Sequence, residues 1–164
     1  MQSVTGIDLG LKGAIATVSL YPLTLVNVTD MPVVDNSICA YQLKSIIKQH
    51  KSDHIVIENV HAMPNQGVVS MFKFGRSKGL VEGVLAAQNK QIEWVTAKKW
   101  KSYYQLSKQK DESRNLATAL FKTSTQWPLK KHDGRAEATL IALYGLIRRQ
   151  YDQFPQDTAW MEAK

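Results

Sequence analysis

Apolar residues in this chain come first as short runs and later at helical spacing. Val4–Leu9, Ala14–Leu20 and Thr24–Thr29 read as three consecutive strands. Gly10-Leu-Lys-Gly13 suits the first turn and Tyr21-Pro22 the second, so the three strands form an antiparallel meander. Asn36 or Ser37 is expected to cap a helix whose apolar face holds Ile38, Tyr41, Leu43, Ile46 and Ile47. His54–Glu58 is a near-continuous apolar run, the pattern of a strand buried on both faces. A loop containing Pro64-Asn-Gln-Gly67 leads into a long helix from about Val68 to Gln88. Ile92–Val95 reads as a fifth strand, and Ala97–Tyr104 and Asp111–Phe121 as helices. After a loop over residues 126–131, a final helix runs from Gly134 to about Arg149. This order predicts an α/β fold: one five-stranded mixed sheet, three antiparallel strands then two parallel, flanked by helices. No repeat or linker interrupts it, so residues 1–150 are expected to form one domain and 151–164 a peripheral tail.

The long helix carries Gly75, Gly79 and Gly83 at intervals of four. Glycine costs about 1 kcal/mol relative to alanine inside a helix, so three on one stripe imply a close approach by another backbone. That backbone belongs either to the chain's own sheet and helices or to a second copy across a dimer interface.

Charge changes the picture more than composition does. The chain has 164 residues and a net charge of +7. Residues 1–72 carry net −1 and residues 150–164 net −2, whereas residues 73–149 hold sixteen basic against six acidic side chains. Positive charge concentrated in one stretch indicates a polyanionic partner. No apolar run has transmembrane length and no signal-type segment is expected, which argues against a membrane role. A lone Cys39 excludes an internal disulfide and a cysteine-rich zinc site, and a reducing cytosol is the expected location.

Against this basic background, four carboxylates occupy unusual positions. Asp8 ends the first apolar run, Glu58 ends Ile-Val-Ile, and Asp133 and Glu137 open the last helix. An acid at the end of a buried strand is costly unless it is paired or bound to a cation. If strands one and four are parallel neighbours, Asp8 and Glu58 leave the sheet at the same edge. Asp133 and Glu137 share one helix face at i, i+4, where like charges repel unless a cation lies between them. Taken singly, Asp8 could be a turn residue, and Asp133 and Glu137 could be favourable charges at a helix start. Jointly the four make a hard oxygen cage suited to Mg²⁺ or Mn²⁺. Two ions in such a cage would activate water and stabilise the leaving oxygen of a phosphodiester. His132, beside Asp133, either replaces a carboxylate as ligand or is a solvated surface group. The basic residues cluster as Lys73, Arg76 and Lys78; as Lys98, Lys99 and Lys101 with Trp100, Tyr103 and Tyr104; and as Lys130 with Lys131. Such groups contact phosphates rather than read bases.

Together these motifs resemble the RuvC family of Holliday junction resolvases, within the RNase H-like superfamily, from about Thr5 to Arg148. Gly6-Ile-Asp8-Leu-Gly looks like the family's first-strand motif, Ile57-Glu58-Asn-Val its second, and Phe74-Gly-Arg-Ser-Lys-Gly79 the start of its long helix. Asp133-Gly-Arg-Ala-Glu137-Ala is similar to the final acidic motif, in a form closer to phage-type members. The resemblance implies an RNase H-like fold and a crossover junction endodeoxyribonuclease. Asp8, Glu58, Asp133 and Glu137 would be its catalytic metal ligands, holding two Mg²⁺ ions with Mn²⁺ able to substitute. It further implies a homodimer that resolves four-way DNA junctions by paired nicks, in a bacterial or phage-infected cytosol, with no nucleotide cofactor and no membrane. Lys101 and Lys110 match DNA-contacting lysines, and His61 matches an aromatic position near the junction.

The last two acids here are four apart rather than the commoner three, with Glu in place of Asp at the second, which leaves the third ligand open between His132 and Asp133. Gly-Ile-Asp-Leu-Gly also resembles the first phosphate motif of the sugar-kinase and actin group. That class needs a second domain and a further Gly-rich loop, and this sequence has neither. A nuclease of broader specificity, acting on flaps, forks or RNA, is the main alternative, and a non-catalytic junction-binding protein a lesser one.

Overall fold

The first strand, β1 (Ser3–Ile7), is the middle of the sheet, with two strands on either side of it. It runs antiparallel to β2 (Ala14–Ser19), with Val4 opposite Val18, and parallel to β6 (His54–Glu58), with Ile7 opposite Ile57. β3 (Thr24–Asp30) forms one edge beside β2, and β7 (Gln91–Val95) forms the other in parallel with β6. The order β3-β2-β1-β6-β7 is the expected sheet of three antiparallel strands followed by two parallel ones. The computed structural model describes residues 2–60, 67–107 and 109–153.

Strand parity divides the core. Side chains alternate faces along a strand, so Ile7, Ile55 and Ile57 pack with Leu43, Ile47, Val81 and Leu85 from α1 (Ala40–His50) and α2 (Val68–Ala86). Val4, Val18 and Val56 point the other way. They meet Leu140, Ile141 and Tyr144 of α5 (Asp133–Gln153), and Trp100 of α3 (Ala97–Tyr103). α4 (Lys110–Phe121) adds Ala117 to this side. Helix α5 crosses the sheet at very short range. A Cβ at Gly6 would lie 2.2 Å from the carbonyl oxygen of Ala138 and 2.4 Å from the nitrogen of Ala142. Hydrogen at position 6 is what lets the helix backbone rest on the central strand.

A buried polar chain stitches the opposite face. Thr5 and Thr17 share a 2.7 Å hydroxyl bond, Thr17 bonds His50 Nδ1 at 2.7 Å, and His50 Nε2 reaches Thr29 at 3.4 Å. With no compensating charge nearby, burial pushes the His50 imidazole down to about 4, so it is neutral at physiological pH.

Two expectations are corrected. The helix capped at Asn36 or Ser37 begins later, at Ala40, with Cys39 before it. Asp35 and Asn36 instead take left-handed φ of 48° and 56° and form the turn of a hairpin between β4 (Val33–Val34) and β5 (Ser37–Ile38). Two consecutive positive φ values are what a tight two-residue hairpin requires, and Asp and Asn tolerate them better than most residues. Ile38 is buried from the hairpin rather than from a helix, and Tyr41 is 81% exposed. The second correction concerns Gly75, Gly79 and Gly83. A Cβ at any of them would meet nothing within 4 Å among the described residues, so the stripe is not a site of close packing between them. It lies on the outer side of α2, while Val81 and Leu85 face the core.

Candidate metal centre

The sheet register brings two acids together before any helix is considered. Ile7 is paired with Ile57, so the next residues, Asp8 and Glu58, leave parallel strands side by side. Parity then turns both toward α5, on the side of Val4 and Val56. Glu137, one turn into α5, arrives from above. Asp8, Glu58 and Glu137 each offer a carboxylate oxygen, and these oxygens lie within 4.8 Å of one another.

Each acid is held separately. The Asp8 backbone N–H donates to the Ala14 carbonyl at 3.0 Å, which fixes the residue at the mouth of the β1–β2 turn. Glu58 Oε2 accepts a 2.8 Å bond from Nε1 of the fully buried Trp100. Glu137 Oε1 accepts from Lys101 Nζ at 2.8 Å and from Ser113 Oγ at 3.2 Å. Consecutive residues of α3 therefore grip two different carboxylates.

The electrostatics describe a shortage of positive charge. Burial, followed by the charges of Glu137, Glu58 and Asp133, pushes the Asp8 carboxyl up to about 8, and Lys101 only partly opposes this. Burial also raises Glu58, with the Trp100 bond working against it. Three oxygen donors with no sulfur or imidazole, in a pocket that resists three negative charges, fit a hard divalent cation.

Asp133 lies at the start of α5, where its Oδ1 accepts from the Gly134 N–H at 3.2 Å. Its charge is felt at Asp8, but it lies outside the group of three. His132 belongs to a short 3₁₀ turn (Lys130–His132), and its Nδ1 accepts from the Leu129 N–H at 3.4 Å. It too is outside the group. Gly134 is where α5 meets the β1–β2 turn. A Cβ there would fall 2.6 Å from the Lys12 carbonyl and 2.9 Å from Asp8 Oδ2.

The basic residues distribute unevenly around this centre. Lys101 is inside it, paired with Glu137. Lys73 and Arg76 line a cleft on one side of the β1–β2 turn, and Lys130 and Lys131 line a cleft on the other. Lys98 and Lys99 are exposed on α3, and the charge of Lys99 acts on Glu93 of β7 rather than on the three acids. His61 and the side chain of Lys110 fall outside the described residues. Trp100 was named only as an aromatic of the Lys98–Lys101 cluster, and Ser113, Lys12 and the Asp30–Arg135 pair were not singled out. Arg135 stood inside the final acidic motif, but its partner Asp30 is 105 positions away. No local signal could have found the Trp100 contact, which spans 42 positions.

No protein-family model and no curated protein matches the chain. Solved structures do. The chain is similar to a T. thermophilus RuvC structure in complex with Holliday junction substrate, at 14% identity and a TM-score of 0.69, over 92% of this chain and 96% of that one. A second Thermus thermophilus RuvC structure aligns at 15% identity and a TM-score of 0.63, over 94% and 97%. The chain thus has the RuvC, RNase H-like fold. Among the described residues, no helix is long and apolar enough to cross a membrane.

Proposed function

We propose that this chain is a metal-dependent, structure-selective endonuclease that resolves four-way DNA junctions by paired nicks in a reducing cytosol. The observation that carries the reading is the convergence of Asp8, Glu58 and Glu137 from three separate elements to within 4.8 Å, in a chain of RuvC fold with net charge +7. Asp8, Glu58 and Glu137 would hold one divalent ion, and Asp133 with Asp8 a second. Bound there, Mg²⁺ or Mn²⁺ supplies Lewis-acid activation of water and stabilisation of the leaving oxygen.

The protein's own groups do the rest. Trp100 holds the Glu58 carboxylate in one orientation. Ser113 and Lys101 do the same for Glu137, and Lys101 adds a cation beside the position of the scissile phosphate. Lys73, Arg76, Lys130 and Lys131 are suited to neutralise flanking phosphates. A substrate with two-fold symmetry and two scissile phosphates suits a two-fold enzyme. The outer face of α2 is our candidate for that contact: among the described residues nothing lies within 4 Å of a Cβ at Gly75, Gly79 or Gly83, and Phe72 beside them is 73% exposed.

The test is cleavage of labelled four-way junction, fork and linear duplex side by side in Mg²⁺. Symmetric paired nicks in the junction, with weak cutting of the other two, are expected. Equal cutting of all three would instead leave a nuclease of broader specificity.

A further inference from the structure

The turn between β1 and β2 stands between two basic clefts, and Leu11 at its tip lines both. The turn is closed by the Gly13 N–H donating to the Gly10 carbonyl at 3.1 Å, and it holds Leu11 41% exposed. On one side a cleft of about 520 Å³ carries Lys73 and Arg76 from α2, against the single acid Asp35 of the hairpin. On the other a cleft of about 760 Å³ carries Lys12, Lys130 and Lys131. Asp30 and Arg135 also line this second cleft, but two 2.6 Å bonds between them cancel their charges. Asp133 also lines it, so the three lysines exceed the remaining acid by two. The turn itself rises directly from Asp8.

We infer that this turn is the branch-point wedge of the enzyme. Each cleft takes the phosphate backbone of one arm of a branched DNA, and Leu11 packs against the base step exposed where the arms part. Lysines and arginines along a channel bind backbone without reading sequence, so two channels select two diverging backbones by shape. An apolar side chain inserted between bases pays an unstacking cost that is least where a crossover has already opened the stack. The position of the ridge at the foot of Asp8 then sets the scissile phosphate relative to the branch. The inference rests on the nuclease reading above and names the residues that would give it branch selectivity.

The experiment uses full-length protein in Ca²⁺, with an immobile four-way junction carrying 2-aminopurine at the crossover and a linear duplex carrying the same probe. Wild-type protein is expected to raise the junction probe's fluorescence. Leu11→Ala should remove most of that rise and reduce the preference for junction over duplex on the order of tenfold. Paired changes of Lys73 and Arg76, or of Lys130 and Lys131, to Gln should each lower the salt slope of junction binding by roughly two, whereas on duplex only one pair should matter. A wild-type protein that shows no junction preference overturns the proposed function itself. A wild-type preference retained in full by Leu11→Ala, with an undiminished fluorescence rise, overturns the wedge alone.

Discussion

Trp100 and Glu58 are joined by a 2.8 Å hydrogen bond in which the indole N–H is the donor and a buried carboxylate the acceptor. The bond fixes the orientation of the Glu58 carboxylate, which offers an oxygen within 4.8 Å of those of Asp8 and Glu137. Trp100→Phe keeps the aromatic bulk and removes the donor. Groups that orient ligands in this way typically contribute about 10–100-fold to metal affinity. Calorimetric titration with Mn²⁺ should show a loss of that size. An unchanged affinity would mean that the bond serves packing only.

Replacing Asp8, Glu58 or Glu137 by its amide should abolish cleavage while junction binding in Ca²⁺ is retained. The same variants should lose the rise in Tm that Mn²⁺ gives the wild-type protein, since a ligand that binds only the folded state stabilises it. Asp133→Asn distinguishes the second ion from the first. It is expected to reduce the Mn²⁺ stoichiometry from two to one while the tighter site remains, and full cleavage by this variant would remove Asp133 from the chemistry.

Gly79→Leu is a probe of the α2 surface because a Cβ there would meet nothing within 4 Å among the described residues. The protein should fold, with the helix itself favoured by up to about 1 kcal/mol over glycine. Sedimentation is expected to show a dimer for the wild-type chain and a monomer for the variant. A dimer that persists in Gly79→Leu would place the two-fold contact on another face.

His50 predicts an acid limb of stability. Its folded-state value of about 4 lies below its ordinary 6.5, so the unfolded chain binds the proton more tightly. Its contribution is complete above about pH 6.5 and is lost as pH falls toward 4. The total is about 3 kcal/mol. Urea unfolding between about pH 7 and pH 4.5 should show a steeper loss for wild type than for His50→Gln. Parallel curves would show that His50 is protonated without penalty in the folded state.

The sheet was legible because its strands are short apolar runs bounded by residues that break them. Asp8 and Glu58 could be paired from the sequence because each follows an apolar run directly, so one assumption of parallel pairing aligned them. The helix start was misplaced at Asn36 because Asn and Ser serve tight turns and helix caps alike, and only the two positive φ values at Asp35 and Asn36 decide between them. The glycine stripe predicted close approach, but among the described residues nothing comes near it, because spacing along a helix does not say which side of the helix the sheet will cover. Neither the grip of Trp100 on Glu58 nor that of Ser113 on Glu137 could be read in advance, since each depends on how helices dock across the sheet.

The contact between α5 and the central strand at Gly6 has a consequence for ion size. Glu137 is carried by α5, whereas Asp8 and Glu58 are carried by the sheet, so the aperture between them is the spacing of helix and sheet. That spacing is set where Gly6 touches the backbone at Ala138 and Ala142, with no adjustable side chain in between. A single methyl group at position 6 would push the helix outward and widen the cage, favouring a larger, less demanding cation such as Ca²⁺ over Mg²⁺. The calibre of the candidate metal centre thus resides two residues before Asp8, in a side chain that consists of one hydrogen atom.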